Sequence, residues 1–281
     1  MAKPSRKTPE NSPAQDAINP AGTPTASSEP PAQVEETPLE ALASVCSVLV
    51  IGLFVLTFLA QNFVIPSGSM EKTLLVGDHL FVDRITIAPG SSWMPLVHYR
   101  EPKRGDIIVF LKPGEPDLFL VKRCIGIPGD HIHLRNGVVI LNGVAQNEPQ
   151  AALHPDQEPR DAYQAYIDEF PAISTLDAGG QVTGQWDLEL PTHIQGNDLV
   201  VPPGKYFMMG DHRHDSLDSR FWGFVPRENI VGRPLFNYWS FQTPDDQINH
   251  TDLVDRLQWF AHVGIRFFSD TRWKRTFHLV K

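Results

Sequence analysis

Three short segments carry side chains whose types and spacing could do chemistry. The first is Ile65-Pro66-Ser67-Gly68-Ser69-Met70, with two hydroxyls flanking a glycine. A serine hydroxyl becomes a nucleophile only when a base takes its proton. The second is LFLVKRCIG at 118–126, which contains Lys122. Strand alternation puts Leu118, Leu120, Lys122 and Cys124 on one face and Phe119, Val121 and Arg123 on the other. A lysine on an otherwise apolar face must find an anion, reach water or lose its charge. Desolvation disfavours the ammonium and lowers its pKa, which makes a neutral amine able to accept a serine proton. The third segment is GDHRHDSLDSRFWG at 210–223, which follows the apolar run KYFMMG. Short polar residues packed this densely suit a hydrogen-bonded loop that orders a site. Each segment also has a plainer reading: a turn, an edge-strand lysine reaching solvent, a surface loop.

A second chemistry is metal binding. His131/His133 and His212/His214 are two H-x-H pairs, and a histidine pair with Asp211 or Asp215 could hold zinc. His131 and His133 fall in a hairpin strand, where a solvated or core-packed face is the default, so no metal site is expected. No phosphate loop, dinucleotide fingerprint or repeat occurs.

The elements that would position these residues are mostly strands. DHLFVDRI, GDIIVFL, LFLVKRCIG, DHIHLR, VVILNG and KYFMMG are short β-branched or aromatic runs. Pro113-Gly114, Pro128-Gly129, Asn136-Gly137 and Asn142-Gly143 punctuate them. Asn136-Gly137 predicts a tight hairpin, because a type I′ turn needs positive φ at both central residues. Residues 66–250 therefore predict a mainly β, antiparallel domain, with the polar, proline-bearing stretch 145–200 as an inserted subdomain.

The flanks differ in kind. Residues 1–38 are rich in Pro, Ala, Ser, Thr and Glu and predict disorder. Residues 39–65 predict a transmembrane anchor: 41–65 carries no charge and would span about 37 Å as a helix, against a hydrocarbon core of roughly 30 Å. A cleaved signal peptide has a shorter apolar core behind a basic start, whereas Glu35, Glu36 and Glu40 lead in here. Lys72 and Arg84 follow the span, so charge alone favours a cytoplasmic C-terminal domain. Residues 251–281 form a basic, aromatic tail with Leu253, Leu257, Phe260, Gly264 and Phe267 near helical spacing and Arg266, Arg272, Lys274 and Arg275 late. That tail reads either as a helix packed on the domain or as one lying on an anionic membrane. The net charge of −9 excludes a typical nucleic-acid binder. Cys46 and Cys124 read as small buried hydrophobes, not a disulfide.

Taken together, the segments resemble bacterial type I signal peptidases, membrane-bound Ser-Lys proteases. The matching text is PSGSM (66–70), TLLVGDHLFVDR (73–84), RGDIIVF (104–110), VKRCIGIPGD (121–130) and GDHRHDSLDSRFWGFVP (210–226), in family order over roughly 60–240. The resemblance implies Ser69 as nucleophile, Lys122 as general base, and Ser67 with the Ser69 amide as oxyanion hole. It implies Ser216 as the residue orienting the lysine, and Asp218 with Arg220 as structural support. Ile65, Met70, Leu74 and Val121 align with substrate-pocket positions. No metal or cofactor is implied. The implied partners are the lipid bilayer and signal peptides with small residues at −1 and −3. The implied location is the cytoplasmic (inner) membrane, single-pass, with the catalytic domain on the outer face, against the charge pattern. Lys72, His212 and His214-Asp215 depart from the family's usual residues. Two other readings are weaker. A self-cleaving repressor protease would need a DNA-binding motif. An anchored, non-catalytic β module would have no reason to keep Ser67, Ser69, Lys122 and Ser216 together.

Overall fold

The computed structural model describes residues 37–54, 60–87, 99–152, 161–244 and 252–280. The predicted disorder of 1–38 falls almost wholly outside these residues. Helix α1 runs over Pro38–Phe54. Its start follows from a reciprocal cap: the Glu40 carboxylate accepts from the Thr37 amide at 2.9 Å, and Thr37 Oγ1 accepts from the Glu40 amide at 3.3 Å. Proline at the first helical position costs nothing there, since its missing N–H has no intrahelical partner. Among the described residues no helix is long and apolar enough to cross a membrane.

Along the chain the first strands are β1 (Ala60–Val64), β2 (Asp78–Asp83), β3 (Ile107–Leu111) and β4 (Phe119–Gly126). Next come β5 (His131–Arg135), β6 (Val138–Leu141), β7 (Val144–Ala145), β8 (Ile194–Gln195) and β9 (Asp198–Val200). The last are β10 (Lys205–Met209), β11 (Val225–Pro226), β12 (Ile230–Ser240) and β13 (His278–Leu279). The expectation of one apolar span over 39–65 is corrected at its C-terminal end. Ala60–Val64 is a strand, antiparallel to β2 from Ala60↔Asp83 to Val64↔His79. Gln61 and Asn62 break the apolar run, and a partly buried Phe63, exposed Val64 and buried Ile65 follow the strand period instead.

The main sheet has the order β1-β2-β12-β3-β4-β10-β11, with β13 added to β12. A second sheet has the order β7-β6-β5-β9-β8. Every ladder is antiparallel, as the alternation predicts. The β5–β6 hairpin turns at Asn136-Gly137, with φ of 50° and 75°.

The expectation of a mainly β chain is too narrow, because helices share the core. The insertion contributes α2 (Ala162–Asp168) and α3 (Gly184–Glu189). Their Tyr166, Ile167 and Trp186 are buried in one cluster with Ile108, Phe110 and Cys124 of the main sheet and Ile132 and Leu134 of the second. The insertion therefore completes the core. A short helix, α4 (Ser219–Trp222), follows the polar loop, and α5 (Leu253–Asp270) lies in the C-terminal tail.

The tail forms one helix that packs on the domain along one side. Trp259 and Phe267 of α5 pack against Phe241 and Trp239, yet none of its residues is buried. Two of the late basic residues are structural: Arg275 pairs with buried Asp78 at 2.5 Å, and Arg272 donates to the Val76 carbonyl at 2.8 Å. Of the cysteines, Cys124 is buried as expected, whereas Cys46 is exposed on α1.

Candidate active site

Ser69 sits in a single 3₁₀ turn, Gly68–Met70, between β1 and β2. Met70 and Leu74 anchor the turn, both buried with Ile65, Leu80 and Val82. The turn is held from the other side by the polar loop, since the Ser69 carbonyl accepts from the His212 amide at 3.1 Å. Gly210 makes that contact possible. A Cβ there would lie 2.3 Å from Ser216 Oγ and 2.5 Å from the Ser69 carbonyl oxygen, so only glycine lets the loop come this close.

Lys122 is on β4, paired opposite Ile108 of β3, and is 3% exposed. Its Nζ and Ser69 Oγ share a hydrogen bond. Among the described residues no carboxylate is in ion-pair contact with it. Burial lowers its pKa from the ordinary lysine value to about 8; the Asp218 charge opposes the shift and the Arg220 charge adds to it.

The polar loop supplies the remaining predicted residues. Ser216 is buried, and its Oγ donates to Asp218 Oδ2 at 2.9 Å. Asp218 and Arg220 are both fully buried. The guanidinium spans the carboxylate, with Nε on Oδ1 at 2.9 Å and Nη2 on Oδ2 at 2.8 Å. Asp218 Oδ2 also accepts from the Gly210 amide at 3.0 Å. Burial alone would raise the Asp218 pKa, but the Arg220 charge and these hydrogen bonds outweigh it and hold the pKa low.

A cleft of about 100 Å³ opens at the serine, lined by Ile65, Ser67, Ser69, Met70, Val121 and Lys122 among others. Three of the four predicted pocket residues line it. Leu74 does not; it sits behind the cleft in the cluster that holds Ile65 and Met70. Ser67 is at the rim, exposed and extended (φ −140°, ψ 156°), with its side chain capping nothing.

The histidine pairs do not converge. His131 and His133 both face Asp198, at 3.6 and 2.6 Å. His214 pairs with Asp168 at 2.9 Å, while His212 lies 3.4 Å from Glu71 and 3.9 Å from Asp215. Among the described residues no group of three His, Cys, Asp or Glu side chains could hold a metal ion. The departure at Lys72 accompanies a backbone φ of 78°, which the proline ring cannot adopt. Its Nζ donates to the Ala151 carbonyl at 3.2 Å.

Sequence reasoning missed the other half of the loop's anchoring. Buried Arg123 grips buried Asp211 with two parallel hydrogen bonds of 2.8 and 2.7 Å, and Thr73 Oγ1 donates to the same carboxylate at 2.5 Å. Arg213 donates to the Gly210 carbonyl and to Glu148. The available signal was that Arg123 faces away from Lys122 in a run where both faces are apolar.

A family model described as signal peptidase, peptidase S26, matches residues 39–239. The signal peptidase I of Aquifex aeolicus (strain VF5) is 37% identical over 217 residues, covering 68% of this chain and 80% of that protein. The signal peptidase I of Leptolyngbya laminosa is 32% identical over 222 residues, covering 76% and 85%. That of Pseudomonas fluorescens is 32% identical over 240 residues, covering 78% and 75%. The chain therefore belongs to the signal peptidase family, peptidase S26, and is a serine endopeptidase of the signal peptidase I type.

Proposed function

We propose that Ser69 and Lys122 form the catalytic dyad of a membrane-anchored peptidase that removes signal peptides from exported preproteins. One observation carries the dyad: a buried lysine, with no carboxylate in ion-pair contact among the described residues, shares a hydrogen bond with the serine. Neutral Lys122 takes the Ser69 proton as Oγ attacks the scissile carbonyl. Ser67 Oγ and the Ser69 amide receive the oxyanion, a role worth about 2.7–4 kcal/mol per donor in other acyl-transfer enzymes. The ammonium then protonates the leaving amine, and the regenerated amine activates the water that hydrolyses the ester. With its own proton committed to Asp218, Ser216 Oγ can act toward Lys122 only as an acceptor, which steadies the amine.

The substrate arrives as an extended strand. Over Phe119–Lys122, β4 pairs with β3 on one side only, because β10 joins it from Arg123 onward. The free edge faces the cleft whose other wall is Phe63–Ser67, so a peptide can add between them. A cleft this small, walled by Ile65, Met70 and Val121, suits alanine-sized residues at −1 and −3. Helix α1, uncharged after Glu40, serves as the anchor core, with the catalytic domain on the outer face of the cytoplasmic membrane.

The test is incubation of the detergent-solubilised full chain with a preprotein cut after Ala-x-Ala, beside Ser69→Ala. Cleavage should vanish in the variant and also on replacing the −1 alanine with phenylalanine. Turnover retained by Ser69→Ala would remove the dyad. External protease on intact spheroplasts should digest the 66–281 domain; digestion of the 1–38 tail alone would reverse the topology.

A further inference from the structure

Beyond the cleft, one arc of α5 is an exposed apolar surface. Leu253, Val254, Leu257, Phe260, Ile265 and Phe268 fall within less than half a turn of the helical wheel, and each is 61–82% exposed. The opposite arc carries Asp255, Gln258, His262, Arg266 and Ser269. The side between them is the packed one, with Trp259 on Phe241 and Phe267 on Trp239. The domain therefore fixes the helix while leaving its most apolar face uncovered. Trp273 and Phe277, beyond the helix end, are 52% and 78% exposed and extend the surface.

We propose that this face of α5 lies in the plane of an anionic lipid surface and holds the Ser69 cleft against it. Two features favour lipid over a protein partner. Residues 252–281 carry six basic against three acidic side chains in a chain of net charge −9, and of the basic ones Arg256 and Lys274 are exposed close to the apolar arc. Basic residues beside a wide, aromatic-rich apolar face are the signature of a helix immersed at the headgroup boundary. The second feature is position. A cleft of about 480 Å³ lies between Trp259, Phe260 and Val263 of α5 and Val64, Ile65 and Pro66, the residues leading to Ser69. A helix resting on the bilayer would thus place the nucleophile segment beside the surface at which a membrane-held substrate is presented.

The experiment uses the full chain in vesicles, on a Cys46→Ala background, since Cys124 is buried. An environment-sensitive fluorophore is placed at Ile265→Cys or, as control, at Leu176→Cys, which is 87% exposed on the insertion. Lipids carrying shallow spin-label quenchers should quench the Ile265 probe severalfold more than the Leu176 probe. Replacing Arg256 or Lys274 with glutamine should shift the helix off anionic vesicles by about fivefold each. Equal quenching at both positions would overturn the proposal. So would quenching unchanged when anionic lipid is replaced by zwitterionic lipid, or energy transfer between probes that rises with protein density in place of lipid quenching, which would give the face to a second copy. None of these readouts depends on proteolysis, so failure here is separable from failure of the dyad.

Discussion

Lys122 and Arg123 are consecutive residues of one strand, both buried and both cationic in the unfolded chain, and they end in opposite chemical states. Arg123 faces Asp211 and Thr73, where a rigid fork meets a carboxylate in matched geometry. Its charge is compensated and cannot leave. Lys122 faces Ser69, with Asp218 and Arg220 behind opposing one another through their own ion pair. The first face makes structure and the second makes a base. Desolvation is common to both, so the side-chain type and the presence or absence of a direct anion together decide which results.

The largest expected effects come from exchanging the two roles. Lys122→Arg puts a permanent cation against Ser69 and should lower kcat/KM on the order of 10⁴–10⁶-fold, measured on a preprotein. Lys122→Met should be equally inactive but more stable. Holding a lysine at a pKa of about 8 costs the fold about 3 kcal/mol at pH 7, and methionine removes that cost. The folded-state value is the lowered one, so the cost is full below about pH 8 and fades as pH rises toward the ordinary lysine range. Urea unfolding at pH 7 should show the gain; a destabilised Lys122→Met would mean the ammonium has a partner.

Breaking the compensated kind of site should do the reverse. Asp218→Asn leaves Arg220 buried without its anion and should destabilise by about 3–5 kcal/mol, with the Lys122–Ser69 contact disturbed as a consequence. In the parent, the depressed Asp218 pKa means its contribution is present at neutral pH and lost as pH falls through the carboxylate range. An Asp218→Asn variant with native midpoint but reduced kcat would make the pair catalytic positioning alone. Ser67→Ala comes next: kcat should fall about 10²–10³-fold with little change in KM or stability, because the side chain is exposed and caps nothing. Unchanged kcat would end its oxyanion role.

How much of this was legible in the sequence depended on range. Strand alternation placed β2 to β6 and β10, and the two Asn-Gly pairs placed their turns, because period and turn chemistry are local properties. Lys122 was legible for the same reason: its oddity is its neighbours on one face. β1 was not, since its residues end a long uncharged stretch with only Gln61 and Asn62 to interrupt it, and pairing with Asp78–Asp83 is what identifies a strand. β12 was obscured by Gly232 and Pro234, which are tolerated there because the ladder is bulged between Pro234 and Phe236 and Pro234 pairs only with β2. The Arg123–Asp211 clamp joins residues 88 apart, and no local pattern announces such a partner.

The smallest effect separates the two candidate bases within reach of the loop. If Lys122 titrates near 8, about a tenth of it is neutral at pH 7, compared with under a thousandth for an unperturbed lysine. The acidic limb of kcat/KM should therefore have its midpoint near pH 8, with activity rising as the proton leaves. A histidine base would put that limb nearer 6.5. Among the described residues His212 is the only histidine whose own backbone touches the nucleophile turn, through its amide on the Ser69 carbonyl. That contact survives any side-chain change, so His212→Ala should lower kcat modestly and leave the midpoint in place. His214 is turned away toward Asp168, and His214→Ala should shift neither limb. Movement of the midpoint in His212→Ala would mean that its imidazole, beside Glu71 and Asp215, sets the proton affinity of the site, and the contrast between the two faces of β4 would no longer suffice to explain the base.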